Sequence, residues 1–215
     1  MISLLFSRLR CALNPDLAHI IELQAELRHM LAVDSPPVVE VAGFLDSLDH
    51  RSRLAVLRSL GPAHQRRLFD AVDGFRPVTI DDVVPPSVGA RETVRHHGKN
   101  TLPLMTTFEK RFMRPSEDAD VLWGYNHQFA APVTGPGYFV ARNSEGRPEV
   151  DIDYTVVPPE QPSGWPRLQE NTEGLGNFVY AHMVDRLRGV TAEVSIGRAF
   201  KRGRVMDAWF LLCRE

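Results

Sequence analysis

The spacing of apolar residues changes once along this chain, and that change limits the fold more than any other feature. From residue 2 to about 75, apolar side chains recur every three or four positions, the period of a helix with one buried face. Leu17, Ile20, Ile21, Leu23, Leu27, Met30 and Leu31 form one such series; Val38, Val41, Phe44, Leu45 and Leu48 form a second. Start and stop signals divide the series. Asn14-Pro15 and Ser35-Pro36 open helices, Asp49 is placed to cap a third, and Gly61-Pro62 ends that one and begins another.

Beyond a proline-rich stretch the period becomes two. Val150, Ile152, Tyr154 and Val156 alternate with Glu149, Asp151, Asp153 and Thr155, as a strand with one apolar face requires. Tyr138–Arg142 precedes it across the turn Asn143-Ser-Glu-Gly146. A second hairpin joins Glu193–Phe200 to Val205–Cys213 around Arg202-Gly203, and Val121–Phe129 reads as an earlier strand. Residues 101–113 fit either period; β-branched Thr106 and Thr107 together with Pro103 favour a strand. Gly174–Arg188 reads as one late helix, with Phe178, Val179, Met183, Val184 and Leu187 on its stripe. The last strand is apolar on both faces, so both must be covered, one by a barrel interior and the other by the helices.

The fold expected is α+β: a helical bundle over 1–75, a connector over 76–92 in which Thr79-Ile-Asp-Asp can form one turn of helix, and an antiparallel β-barrel or strongly curved sheet over 93–215. A chain of 215 residues buries a core without disulfides or metal. The net charge of −2 offers no field for nucleic acid. Cys11 and Cys213 read as reduced thiols. The apolar opening is cut short by Arg8 and Arg10, unlike a secretory signal, and no stretch is long enough to span a membrane. The cytoplasm is the compartment expected.

Common catalytic and cofactor motifs are missing: no Gly-x-Ser-x-Gly, no complete dinucleotide or phosphate loop, and no His-Glu-x-x-His or cysteine/histidine zinc pattern. No cofactor and no metal are therefore expected. Four constellations remain. Arg95-His96-His97-Gly98-Lys99-Asn100 is a basic run suited to an anionic group, or simply a solvated loop. Trp123-Gly-Tyr125-Asn126-His127-Gln128 is dense in side chains with an apolar body and a polar tip; alternation puts Trp123, Tyr125 and His127 on one face. Asp151 and Asp153 share a strand face, as an acid/base pair if buried and as solvated charge if not; Arg111, Arg142 or Arg198 could neutralise them. On the expected late helix, Asp185 neighbours Arg188, and His182 neighbours Arg186.

Val179-Tyr-x-x-x-Val184-Asp185-Arg-Leu-Arg188-x-Val190, followed by Val194-x-Ile196-Gly197-Arg198, resembles the C-terminal segment of the GXWXG / DUF4334 proteins. Phe108-Glu-Lys-Arg-Phe112 before Trp123-Gly124 is similar to the basic, phenylalanine-bearing strand of that family. The resemblance spans at most the C-terminal half, lacks the Gly-x-Trp-x-Gly sequence itself, and implies a small lipocalin-like barrel with no particular reaction. The chain also resembles uncharacterised bacterial proteins with blocks like GYNHQ and IGRAF.

Three functions follow as expectations. The first is binding of a small, largely apolar ligand with a polar or acidic end inside the barrel. Trp123, Tyr125, His127, Tyr138, Tyr154 and Trp209 would line the cavity, and Arg198 or the His97/Lys99 run would hold the anionic end. The second is a cofactor-independent isomerase, cyclase or hydratase using the same pocket, with His127 or Asp153 as acid/base. The third is an interaction module whose helices dock a partner or a second copy of the chain, making a homodimer a candidate assembly.

Overall fold

A computed structural model describes residues 15–102, 106–127, 135–172 and 180–215. Five helices come first: α1 (Pro15–Met30), α2 (Val38–Ser47), α3 (His50–Arg58), α4 (Pro62–Ala71) and the one-turn α5 (Ile80–Val83). Eight strands follow: β1 (Val94–Asn100), β2 (Thr107–Met113), β3 (Leu122–His127), β4 (Tyr138–Asn143), β5 (Val150–Asp153), β6 (Met183–Gly189), β7 (Val194–Lys201) and β8 (Arg204–Arg214). Each pairs antiparallel with the next, and β8 returns to β1, closing the barrel.

Local chemistry explains the helix boundaries. The Asp49 side chain accepts from the Ser52 amide at 3.1 Å and caps α3. Gly61 precedes α4 and Pro62 is its first residue. Thr79 and Asp82 form a reciprocal capping box on α5. The cap expected at Asn14, like the helix expected before it and Cys11, lies outside the described residues.

The Arg202-Gly203 turn joins β7 to β8 with both residues at positive φ, 51° and 73°, the geometry of a tight hairpin turn. The Asn143–Gly146 hairpin and the strand expected over Thr107–Met113 are also present. One expectation is overturned. Residues 183–188 belong to β6, paired with β5 on one side and β7 on the other, and not to a late helix. Of the remainder of that expected helix, residues 180–182 form a turn and 174–179 lie outside the described residues. The helical stripe misled because β6 points an aspartate inward, which interrupts its apolar alternation.

An eight-stranded barrel is just wide enough for its own side chains to fill. Phe112, Leu122, Phe139, Ile152, Tyr154, Leu187, Phe210 and Leu212 point inward. Three of the rings sit where the strand opposite has no side chain: Phe108 pairs with Gly98, Phe139 with Gly124, and Phe210 with Gly197. A Cβ at these glycines would lie 2.5, 2.1 and 2.2 Å from the facing ring. Each glycine therefore lets a phenylalanine lie flat against the inner wall.

The connector plugs one end. Val78, Ile80, Val83 and Val84 join the interior cluster, and the Ile80 amide donates to Asn143 Oδ1 at 2.8 Å. The outer wall is covered in two sectors. Val194, Ile196, Trp209, Leu211 and Cys213 pack against Leu31, Leu45, Val56, Leu60 and Leu68 of the helical layer. Met113, Trp123, Tyr125, Tyr138 and Val140 pack under Trp165 and Leu168 of the segment after β5. The last strand thus carries Phe210 and Leu212 inward, and Trp209 and Leu211 towards the helices, as its two apolar faces require. Arg188 secures the helical layer by donating to the Phe69 carbonyl at 2.8 Å, with its guanidinium 4.1 Å from the Phe69 ring. No described helix is long and apolar enough to cross a membrane.

Candidate functional site

The residues expected to line the cavity or hold its ligand fall on the outer face of the wall, with one exception. Trp123, Tyr125 and Tyr138 form the outer aromatic cluster around Trp165, with Tyr125 and Trp165 centroids 4.8 Å apart. Trp209 faces the helices. His127 is exposed at the outer end of β3, edge-on to Tyr125. The cavity lining expected from these five is corrected accordingly: Trp123, Tyr125 and His127 share a face, as alternation implied, but all five lie on the outer one. Tyr154 alone of that set points inward.

The charged residues expected to hold the ligand's anionic end or to act as acid and base are outside as well. Arg198 donates to the Met206 carbonyl at 2.9 Å and lies 4.8 Å from the Trp209 ring, so it holds no group inside the barrel. His97 stands near His50, Glu109 and Glu215, and Lys99 follows it on the same outward pleat of β1. Asp151 pairs with Arg186 at 2.9 Å instead of with the arginines expected, while Asp153 accepts from Thr155. Asp185 and Arg188 lie on opposite faces of β6, so their expected helical pairing does not occur. Gln128 lies outside the described residues.

What the interior brings together is a polar cluster drawn from four strands and their ends. Lys110 of β2, Asn126 of β3, Tyr154 just past β5 and Asp185 of β6 are all buried. Lys110 Nζ donates to Asp185 Oδ2 at 3.1 Å, to Asn126 Oδ1 at 3.0 Å, and to the Tyr154 hydroxyl. Tyr154 Oη donates to the same Asp185 oxygen at 3.1 Å, and Asn126 Nδ2 lies 3.2 Å from Tyr154 Oη. The Lys110 nitrogen lies 4.9–5.6 Å from the centroids of Phe108, Phe139, Tyr154 and Phe210. All four rings are within the range of a cation–π attraction. The three phenylalanines among them are the rings that the facing glycines admit to the inner wall.

Burial governs the protonation of this cluster. Removal from water pushes the Lys110 amine below its ordinary value, against the attraction of Asp185. The same removal pushes the Asp185 carboxyl up, against the pull of Lys110. The Tyr154 phenol is raised well above its usual range by burial and by Asp185, so it stays a donor. Towards the plugged end, His96 Nε2 lies 2.9 Å from the Val83 carbonyl, and burial pushes its pKa down to about 4.

A cleft of about 520 Å³ outside the wall, lined by Arg95, Arg111, Arg214, Tyr125 and Trp165, is the rival site. Two of its cations are already occupied by carboxylates: Arg95 meets Glu215 at 3.0 Å and Arg111 meets Glu109 at 2.9 Å. Among the described residues no group of histidine, cysteine and carboxylate side chains is placed to hold a metal ion.

No family model, curated protein or solved structure matches this chain. The closed antiparallel barrel agrees with the general fold that the resemblance implied, and the family itself is not shown. The chemistry of the interior is what bears on function.

The Lys110 cluster could have been found in part. Phe108-Glu-Lys-Arg-Phe112 puts Lys110 on the same strand face as two phenylalanines, and a lysine flanked in that way faces a core. Alternation along β3 puts Asn126 on the face opposite Trp123, which is the inner one. Asp185 was hidden by the helical reading of β6.

Proposed function

We propose that the barrel interior receives a small, largely apolar molecule whose polar end meets Lys110, Asn126 and Tyr154. The observation that carries this reading is the buried pair Lys110–Asp185, 3% and 5% exposed, set among aromatic rings with two further polar partners. Well-packed apolar residues in place of such a pair are often as stable or more so. Retaining four convergent polar groups in an apolar chamber is how ligand sites fix orientation. The rings of Phe108, Phe112, Phe139 and Phe210 crowd the interior, so the guest is small. The pair is already neutral overall, which favours an uncharged polar end, such as a carbonyl or hydroxyl, over a carboxylate.

The test uses phenylnaphthylamine, an apolar fluorescent probe, together with native mass spectrometry of the freshly purified protein. A saturable one-to-one rise in probe fluorescence, lost in a folded Lys110→Met/Asp185→Leu double variant, supports the reading. Absence of any retained molecule together with absence of saturable probe binding overturns it.

A further inference from the structure

This inference deepens the reading of the interior as a binding chamber and rests on it. Only three of the chain's 25 basic residues are lysines: Lys99, Lys110 and Lys201. Most of the other ion pairs among the described residues draw on arginine, as in Arg186–Asp151, Arg188–Glu149, Arg114–Asp81 and Arg53–Glu193. The pair sealed inside the barrel uses lysine instead. The two cations differ in one chemical respect that matters here. A guanidinium keeps its proton in any protein environment, whereas a desolvated lysine gives its proton up and becomes a nucleophile. A chain that relies on arginine nearly everywhere thus places its exception where a removable proton is of use.

The geometry around the nitrogen fits one reaction. Asp185 Oδ2 lies 3.1 Å from Nζ and accepts from the Tyr154 hydroxyl at the same distance. Asn126 and the Tyr154 oxygen hold the remaining directions of the amine. We propose that Lys110 forms an iminium link to a small, largely apolar aldehyde or ketone held in the barrel, with Asp185 as the acid. Burial lowers the proton affinity of the amine and raises that of the carboxyl, so both favour transfer of the Lys110 proton to Asp185.

The step balances without any further reagent. The Nζ lone pair attacks the carbonyl carbon, and the C=O π electrons move to oxygen. A proton passes from nitrogen to that oxygen, giving the neutral carbinolamine. Asp185 then protonates the hydroxyl, which leaves as water while the nitrogen lone pair forms C=N. The products are an iminium and the Asp185 carboxylate. Net, one carbonyl and one lysine ammonium give one iminium and one water, and the charge opposite Asp185 is the same before and after. Tyr154 donates to the carboxylate through this cycle and acts as a positioning residue.

The test incubates the intact protein at pH 7 with cinnamaldehyde and sodium cyanoborohydride, followed by peptide mapping. The result expected is one adduct, with the mass of the aldehyde less its oxygen, at Lys110. It should form faster there than at Lys99 or Lys201, which are only partly buried. Unfolding in urea should erase that preference, and prior saturation with phenylnaphthylamine should protect Lys110 selectively. Asp185→Asn should slow the adduct at Lys110 and leave Lys99 and Lys201 unchanged. Labelling confined to Lys99, Lys201 or the α-amine overturns the proposal. Cinnamaldehyde that displaces the probe without an adduct at Lys110 overturns the iminium and leaves the chamber standing. Failure of both probe and aldehyde to bind removes both.

Discussion

On the inner face of β2 and β6, Lys110 and Asp185 meet at 3.1 Å with 3% and 5% of their side chains exposed; on the outer face of β5 and β6, Arg186 and Asp151 meet at 2.9 Å with 25% and 28% exposed. The two pairs share strand β6 and have nearly the same length, yet their energetics differ. The outer pair keeps part of its hydration and contributes at most about 1 kcal/mol. The inner pair gives up several kcal/mol of hydration per ion, and recovers it only through mutual attraction, the Asn126 and Tyr154 hydrogen bonds, and the surrounding rings. An ion pair's distance therefore says little about its worth; which side of the pleat it occupies says more.

The largest effect expected from this contrast is on the inside. Lys110→Met leaves Asp185 buried without its cation and should cost about 3–5 kcal/mol in urea unfolding. Lys110→Met/Asp185→Leu should recover most of that loss. A single variant as stable as the parent would break the contrast between the faces.

Next in size is the acid response of His96. Its folded-state pKa is depressed from 6.5 to about 4 because its ring is buried. Below 6.5 the unfolded chain takes up a proton that the folded chain refuses, so stability falls as the pH drops from about 6.5 to 4. The full loss is about 3 kcal/mol, from the linkage relation of 1.36 kcal/mol per pKa unit. Urea midpoints between pH 7 and pH 4 measure it, and His96→Gln should flatten the profile.

The glycine–phenylalanine pairs come third. Gly124→Ala drives a Cβ to 2.1 Å from the Phe139 ring and 2.7 Å from the Arg111 carbonyl, and should cost about 1–3 kcal/mol. Gly43→Ala, in α2 with nothing within 4 Å of the added carbon, should instead stabilise by about 0.5–1 kcal/mol. Thermal melts of the two variants should move in opposite directions. The smallest effect belongs to the outer pair: Asp151→Ala should change stability by no more than about 1 kcal/mol, and by less in high salt.

Much of the fold was legible because its rules are local. The proline at the head of α4, the Asp49 cap, the Asn143–Gly146 and Arg202-Gly203 turns, and the two-faced last strand each announce themselves within a few residues. Strand β6 was not legible. Met183, Val184 and Leu187 fit a helical spacing, and the inward Asp185 breaks the apolar alternation that marks a strand. The side chain that completes the buried cluster is thus the one that disguised its own strand. The site was half legible for a related reason. Alternation correctly put Trp123, Tyr125 and His127 together, but it does not say which face is the inside. Their aromatic character pointed to a cavity, and the covering segment around Trp165 satisfies it from without.

The short plug made by Val78, Ile80, Val83 and Val84 has a practical corollary. A shortened chain that starts at residue 93 would lose the floor of its vessel along with the helices, and water would reach Phe112, Leu122 and Ile152 from beneath. A chain cut near residue 75 keeps that floor. Comparing the two cuts separates the work of the helical wall-covering from that of a stopper only a few residues long.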